Sequence, residues 1–388
     1  MRLLHTSDWH LGRQFHGHSL LADQRHMLEQ LVAYATALRP DLVVVAGDIY
    51  DRAVPPPEAV DLLNEVLTRL VIGLQLPVVL IAGNHDSGER LGFGARLLQR
   101  AGLHIAGPAA HPVTAVPINT AAGRVCVYPL PYAEPGAVRA RFAQADALGH
   151  GAAMQLSVQE VLRQHPADCM AVLVAHAFVV GGETSESERP LSVGGSGAID
   201  ASVFAGFDYV ALGHLHRPQT LGGGRLRYAG SPLKYSQSEV THAKSFSLVQ
   251  LAVGSLPVIE ALPVIPLHDL HVLTGTLAEV CAPRPEVASH DFVLARLTDP
   301  GALLDPMAAL RRTYPNALGI ERLVLQGSGT PGARGARREQ TSPEGLYASF
   351  FEEVTGTPLQ ADQQAVLLEE LDRLRYGSAG QDLPGRAR

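Results

Sequence analysis

The chain has 388 residues, 46% of them hydrophobic and 18% charged, with a formal net charge of -7. That describes a globular protein of two or three domains. The acidic balance excludes whole-surface attraction to nucleic acid, though not a local positive site, and no apolar run is long enough to span a bilayer. The three cysteines, Cys126, Cys169 and Cys281, lie far apart and match no metal or redox spacing. With residues turning polar at His5-Thr6-Ser7-Asp8, too soon for a signal peptide, they make a reducing cytoplasm the expected location.

Short apolar runs of strand length recur along the first two thirds of the chain. They are Leu3-Leu4, Leu42 to Ala46, Val78 to Ala82, Met170 to Ala175, and Tyr209 to Leu212. Between the second and third, Pro56-Pro57 opens a helix whose apolar positions are Ala59, Val60, Leu63, Val66, Leu67 and Leu70, a 3.6-residue stripe. Alternating strand and helix predicts an α/β core with part of its sheet parallel.

A second unit is expected after the proline-spaced stretch Leu256 to Pro266. Asp291 to Leu297 reads as a strand, Pro306 to Tyr314 as a helix, and Ile320 to Leu325 as another strand. The stretch "GSGTPGARGARREQT", from residue 327, is rich in Gly, Pro and charge and predicts a flexible linker. Ser342 then caps and Pro343 opens a helix carrying Leu346, Phe350, Phe351 and Val354, ended by Gly356. A further helix carries Val366, Leu367, Leu371 and Leu374. This pair either folds back on the protein or docks a partner, and docking is the preferred reading.

Each strand-like run is followed at once by side chains that ligate hard or borderline metals. In order these are Asp8 and His10, Asp48, Asn84 with His85 and Asp86, His176, and His214 with His216. Ligands of α/β sheets bind at strand C-termini, so residues this far apart in sequence converge there. Singly, each has a bland explanation: an Asp after a strand caps a turn, an Asn holds a left-handed residue, and a lone His is a satisfied polar group. The pair His214-x-His216 points one way on an extended segment. Five strand ends that all supply Asp, His or Asn are harder to dismiss. Oxygen and imidazole donors without thiolate suit manganese or iron and admit zinc. Two such ions about 3.5–4 Å apart clamp the attacking and leaving oxygens of a displacement at phosphorus. A neutral Asn ligand preserves the positive surplus that suits a phosphate ester.

The motifs D-x-H, G-D, G-N-H-D, H and G-H-x-H, in this order, resemble the calcineurin-like metallophosphoesterase superfamily. "HTSDWHLGRQF", "GGETSESERPLSVGG", "YVALGHLHRPQ" and "YAGSPLKYSQSE" are similar, more narrowly, to the nuclease subunits of bacterial SbcC–SbcD complexes. The resemblance spans nearly the whole chain. It implies an α/β core of two packed β-sheets flanked by helices over residues 1–262 and a small αβ capping domain over 263–327. A linker over 328–341, a helical pair over 342–376 and a disordered tail over 377–388 would follow.

The resemblance also implies roles. Asp8, His10 and His216 would hold one metal and Asn84, His176 and His214 the other, with Asp48 bridging. His85 would contact the scissile phosphate or protonate the leaving oxygen, and Asp86 would orient it. Archaeal relatives often carry His three residues after the bridging Asp; this chain has Asp51 there, so that role is not transferred. The implied activity is manganese-dependent exonuclease and hairpin endonuclease action on double-stranded DNA ends. A homodimer is implied, with the helical pair docking an SbcC-type coiled-coil ATPase, since this chain has no G-x-x-x-x-G-K-[ST] loop of its own. Arg217, Ser231, Lys234 and Lys244 are the candidates for DNA-backbone contacts. His16 and His18 are expected at the surface, His5 buried in the first strand, and His268 and His271 in the second domain. Rival readings are a phosphoesterase acting on a small ester or phosphoprotein, and a silent scaffold of the same fold.

Overall fold

The runs Leu42–Ala46 and Val78–Ile81 are strands buried at every residue, which requires apolar layers on both faces of their sheet. The computed structural model describes residues 1–108, 112–120, 123–144, 149–191, 197–323 and 343–376. Two compact units are Met1–Leu270 and His271–Arg388.

In the first unit, Arg2–Thr6, Leu42–Ala46, Val78–Ile81 and Leu103–Ala106 are parallel neighbours. Ser245–Gln250 and Val258–Pro263 extend this sheet antiparallel beside Arg2–Thr6. A second sheet has Gly123–Leu130, Met170–His176, Tyr209–Gly213 and Leu226–Tyr228 in parallel, edged antiparallel by Val116–Thr120 and Gln219–Leu221. Leu42, Val44, Ala46, Val79 and Ile81 of the first sheet share one core with Val125, Val127, Val172, Val174 and Ala211 of the second. The alternation that sends Val172, Val174 and Ala211 inward sends Leu173, Ala175, Val210 and Leu212 outward, where Val158 and Val161 of the helix His150–Gln164 cover them. Two packed sheets flanked by helices are therefore present, as the resemblance implied.

The helix Pro57–Thr68 buries Ala59, Leu62, Leu63, Val66 and Leu67. Val60, expected on that stripe, is instead 43% exposed, because positions 59, 62/63 and 66/67 already complete the buried face.

Leu270–Gly275, which begins at the last residue of the first unit, forms a three-stranded sheet with Phe292–Leu297 and Ala317–Arg322 of the second. Leu310 and Tyr314, at the end of the helix Pro306–Thr313, pack with Val293, Ala295, Leu297 and Ala317. The last strand begins earlier than the predicted Ile320, and residues 324–325 lie outside the described residues. Helices Pro343–Thr355 and Ala361–Tyr376 occupy the span predicted for the helical pair, leaving Tyr347, Phe350, Val354, Val366 and Leu368 exposed. The predicted linker and tail also lie outside the described residues. Among the described residues, no helix is long and apolar enough to cross a membrane.

His268 belongs to the first unit, not the second as predicted, and its Nδ1 lies 2.9 Å from Asp23 Oδ1. His271 is in the second unit, 3.1 Å from Asp291 Oδ2. His16 is exposed and His18 half-buried on the hairpin Gln14–Phe15/His18–Ser19.

Candidate metal centre

The strand C-termini crowd together at three positions that carry no side chain, two of them between the sheets (Gly213 and Gly47) and one within the first sheet (Gly83). A Cβ on Gly213 would lie 1.9 Å from the Ala46 carbonyl oxygen, one on Gly83 would lie 2.2 Å from Asp48 N, and one on Gly47 would lie 2.4 Å from His176 Nδ1. At this junction the chain leaves each strand abruptly. Asp8, His10, Asp48 and His214 all adopt positive φ, four of the nine non-glycine residues that do so among the described residues. Left-handed backbone at such residues costs energy and persists where surrounding contacts over-determine it. Here the Asp8 N–H donates to the Gly47 carbonyl and the His10 N–H to the Asp48 carbonyl, each at 3.0 Å.

The predicted donors meet. Asp8, His10 and His216 form one buried cluster and Asp8, Asp48 and His176 another. His10 Nε2 lies 3.1 Å from His216 Nε2 and 3.7 Å from Asp48 Oδ2, and His176 Nε2 lies 3.5 Å from that same oxygen. Asn84 Oδ1 is 2.9 Å from His176 Nε2 and 3.2 Å from His214 Nδ1. These are the separations that neighbouring donors adopt around an ion bound at about 2.0–2.2 Å. Asp48 faces both groups.

The electrostatics fit cations. Asp8, His10, Asp48, His176 and His216 are 0–2% exposed. Burial, then the charge of Asp48, pushes the Asp8 carboxyl well up. Burial likewise holds His10, His176, His214 and His216 below the ordinary imidazole range, in the neutral form that ligates. His10 Nδ1 and Asn84 Nδ2 are buried without a hydrogen-bond partner. Two mutually repelling carboxylates in a dry pocket lined by neutral donors are stabilised by bound positive charge.

His85 sits half-buried at the rim. Its backbone N–H donates to Asp48 Oδ1 at 2.9 Å, and its Nδ1 lies 2.8 Å from the Asp51 carbonyl oxygen. A carbonyl only accepts, so Nδ1 carries the hydrogen and Nε2, 3.9 Å from Asp48 Oδ2, faces the centre. Asp86, expected to orient this ring, spends its carboxylate on the backbone N–H groups of Gly83, Ile49 and Tyr50. The orienting contact comes from Asp51 instead, through a main-chain atom that residue types do not disclose.

The four predicted DNA contacts separate. Arg217 is exposed and pairs with Glu183, whereas Lys234 reaches Asp269 at 2.7 Å. Lys244 and Ser231 are only 8% and 0% exposed. Lys244 Nζ donates to Ser231 Oγ, to the His216 carbonyl and to Glu239 Oε2. These two residues therefore brace the centre from behind rather than meeting DNA, because a buried ammonium needs its counter-charge. Sequence reasoning missed Glu239, Ser187 and Glu188, although "TSESE" and "YSQSE" carried them inside motifs that were already conspicuous. His5 is buried as expected, with Nδ1 2.9 Å from the Tyr209 hydroxyl.

The family model for calcineurin-like phosphoesterases matches residues 1–218, and that for the Type 5 capsule protein repressor C-terminal domain matches residues 266–355. The SbcD chain of the SbcCD nuclease from Staphylococcus epidermidis is 32% identical over 329 residues, 84% of this chain and 87% of that protein. Two solved structures show weaker likeness. GAP50, the anchor in the inner membrane complex of Plasmodium, has 13% identity and a TM-score of 0.35, over 68% of this chain and 89% of that one. A β-glucosidase from Exiguobacterium marinum has 9% identity and a TM-score of 0.23, over 83% of this chain and 89% of that one. Likeness at these scores carries no argument. The two family models, the relative and the strand-end donor set agree: this chain belongs to the calcineurin-like phosphoesterases, in the SbcD family of nuclease subunits.

Proposed function

We propose that this chain is a two-metal DNA nuclease subunit, hydrolysing phosphodiester bonds at DNA ends and hairpins in repair and recombination. The observation that carries the reading is the convergence of Asp8, His10, Asp48, Asn84, His176, His214 and His216 in a protein of this family. Asp8, His10 and His216 would hold one divalent ion, and Asn84, His176 and His214 the second, with Asp48 between them. Oxygen and imidazole donors without thiolate suit manganese, the ion proposed, as they also suit iron. Bound there, the ions supply Lewis acidity toward phosphoryl oxygens and acidify water.

The residues do the rest. Asp8 and Asp48 offset part of the cationic charge while neutral Asn84 offsets none, so the pocket retains a surplus that draws a phosphodiester anion. His85, its Nδ1–H anchored on Asp51, presents Nε2 to hold a proton against the scissile phosphate or pass it to the departing oxygen. Arg217, exposed next to His216, is retained as a backbone-phosphate contact. An SbcC-type coiled-coil ATPase is the proposed partner of the helices Pro343–Thr355 and Ala361–Tyr376, whose exposed Phe350 and Val366 offer apolar anchors. A homodimer is proposed through the first unit. Val54, Val60, Ile72, Phe93 and Leu98, 39–86% exposed, line a groove of about 530 Å³, and exposed apolar surface of this kind marks association sites.

The test is purified protein incubated with end-labelled duplex and hairpin DNA, with manganese or a chelator, beside His85→Ala and an aryl phosphate monoester. Manganese-dependent cutting, abolished by the chelator and reduced about 100-fold or more in the variant, is expected of a lost general acid. Hydrolysis of the monoester alone, with and without the ATPase partner, would overturn the DNA assignment and favour a small-ester enzyme. Loss of both activities and of metal uptake would favour the scaffold.

A further inference from the structure

Behind His216, on the side away from the centre, lies a chain of buried and half-buried polar groups drawn from two distant segments. Ser187 Oγ is 2.6 Å from His216 Nδ1 and also donates to Glu239 Oε1. Glu239 is wholly buried and receives Lys244 Nζ at 2.5 Å and Ser236 Oγ at 3.0 Å. The segment bearing Ser187 is clamped from its flanks: the Glu186 N–H donates to Ser238 Oγ at 3.0 Å, and the His216 N–H donates to Glu188 Oε1 at 2.7 Å.

The donor directions follow from counting hydrogens. A carboxylate only accepts, so the single hydroxyl hydrogen of Ser187 goes to Glu239. Ser187 then accepts from His216, and Nδ1 of that ring carries the hydrogen. This leaves the lone pair on Nε2, the atom that lies 3.1 Å from His10 Nε2. Resting on the two-metal reading above, we propose that Ser187 and Glu239 are positioning residues for one of the two ions. They hold His216 in its Nδ1–H tautomer and aim Nε2 at the ion shared with Asp8 and His10, while Lys244 anchors Glu239. A carboxylate acting through a hydroxyl also makes the ring a better donor. Among the ligands proposed for the other ion, His176 is held differently: its Nδ1 lies 2.9 Å from the neutral carbonyl of Ala46.

That asymmetry makes the inference testable on the full-length chain with manganese chloride as the probe. Manganese binding is titrated by electron paramagnetic resonance for the parent protein, Ser187→Ala and Ser187→Thr. In parallel, the metal-free forms are melted, and their histidine ring nitrogens are observed by 15N NMR. Ser187→Ala is expected to weaken one ion about 10–100-fold, as supporting contacts to metal ligands commonly do, and to leave the other ion and the metal-free melting temperature unchanged. The Nδ1–H signature of His216 should become mixed, and Ser187→Thr, which restores the hydroxyl, should restore both signals. Wild-type affinity for both ions in Ser187→Ala would overturn the inference, as would equal weakening of both with a lowered melting temperature. A parent protein that takes up no manganese would instead overturn the two-metal reading itself.

Discussion

At the scale of single residues, the protein buries polar groups that water would ordinarily solvate. His5 lies in the first strand at 0% exposure, and burial, assisted by the charge of Arg227, lowers its pKa to about 3. In the unfolded chain the same ring takes up a proton near pH 6.5, at about the ordinary histidine value. Its contribution to stability is therefore complete above pH 6.5 and is lost as the pH falls from there toward 3. The slope is at most one proton, or about 1.4 kcal/mol per pH unit. His5→Gln removes this titration, so between pH 6.5 and 5 the variant should lose about 1.6 kcal/mol less stability than the parent. Urea unfolding at the two pH values, with chelator present, checks this; parallel losses in both proteins would refute it. The metal-ligand residue types were legible in sequence because Asp, His and Asn follow apolar runs in an improbable repetition. The nitrogen that each ring presents was not, since a neighbouring main-chain oxygen fixes it for His85 and His176.

At the scale of elements, strand ends from two sheets share one pocket through glycines. Gly213 closes the strand Tyr209–Gly213 directly over the end of Leu42–Ala46, with no room for a Cβ between its Cα and the Ala46 carbonyl. Gly213→Ala is expected to force the sheets apart locally at a cost of about 1–3 kcal/mol. Because His176 Nδ1 lies 2.9 Å from that same Cβ position, manganese affinity should fall together with stability. Denaturant unfolding and manganese titration of the variant should both move; an unshifted midpoint would mean that the junction is not tight. The five donor-bearing strands could be read from apolar runs, and the helix at Pro57 from its periodicity, whereas strands such as Leu103–Ala106 and Gly123–Leu130 were not. Val60 could not, because a 3.6-residue stripe has edges and only the packed neighbours decide which edge residue stays dry.

At the scale of the whole molecule, the apolar groove around Val60, Ile72 and Phe93 is the face that the proposed homodimer would cover. Phe93, at 86% exposure, is the most accessible residue of that patch. Light scattering after size exclusion should give a dimer mass for the parent and a monomer mass for Ile72→Asp and Phe93→Asp, with unfolding midpoints little changed because exposed positions carry little of the fold. An identical mass for parent and variants would remove this face from consideration.

The amino-acid sequence by itself determined the α/β class, the five strands that carry the donors, and which residue types stand at their ends, because all three are written in local periodicity and in short motifs. Tertiary structure alone decided which polar groups serve the pocket and which brace it. Lys244 and Ser231 read as surface contacts and proved buried, and Glu239 and Ser187 emerged as partners although 52 positions separate them. His10 and His216 meet across 206 positions. Burial and pairing are properties of space between segments, and a pattern that repeats every two or four residues carries no record of them.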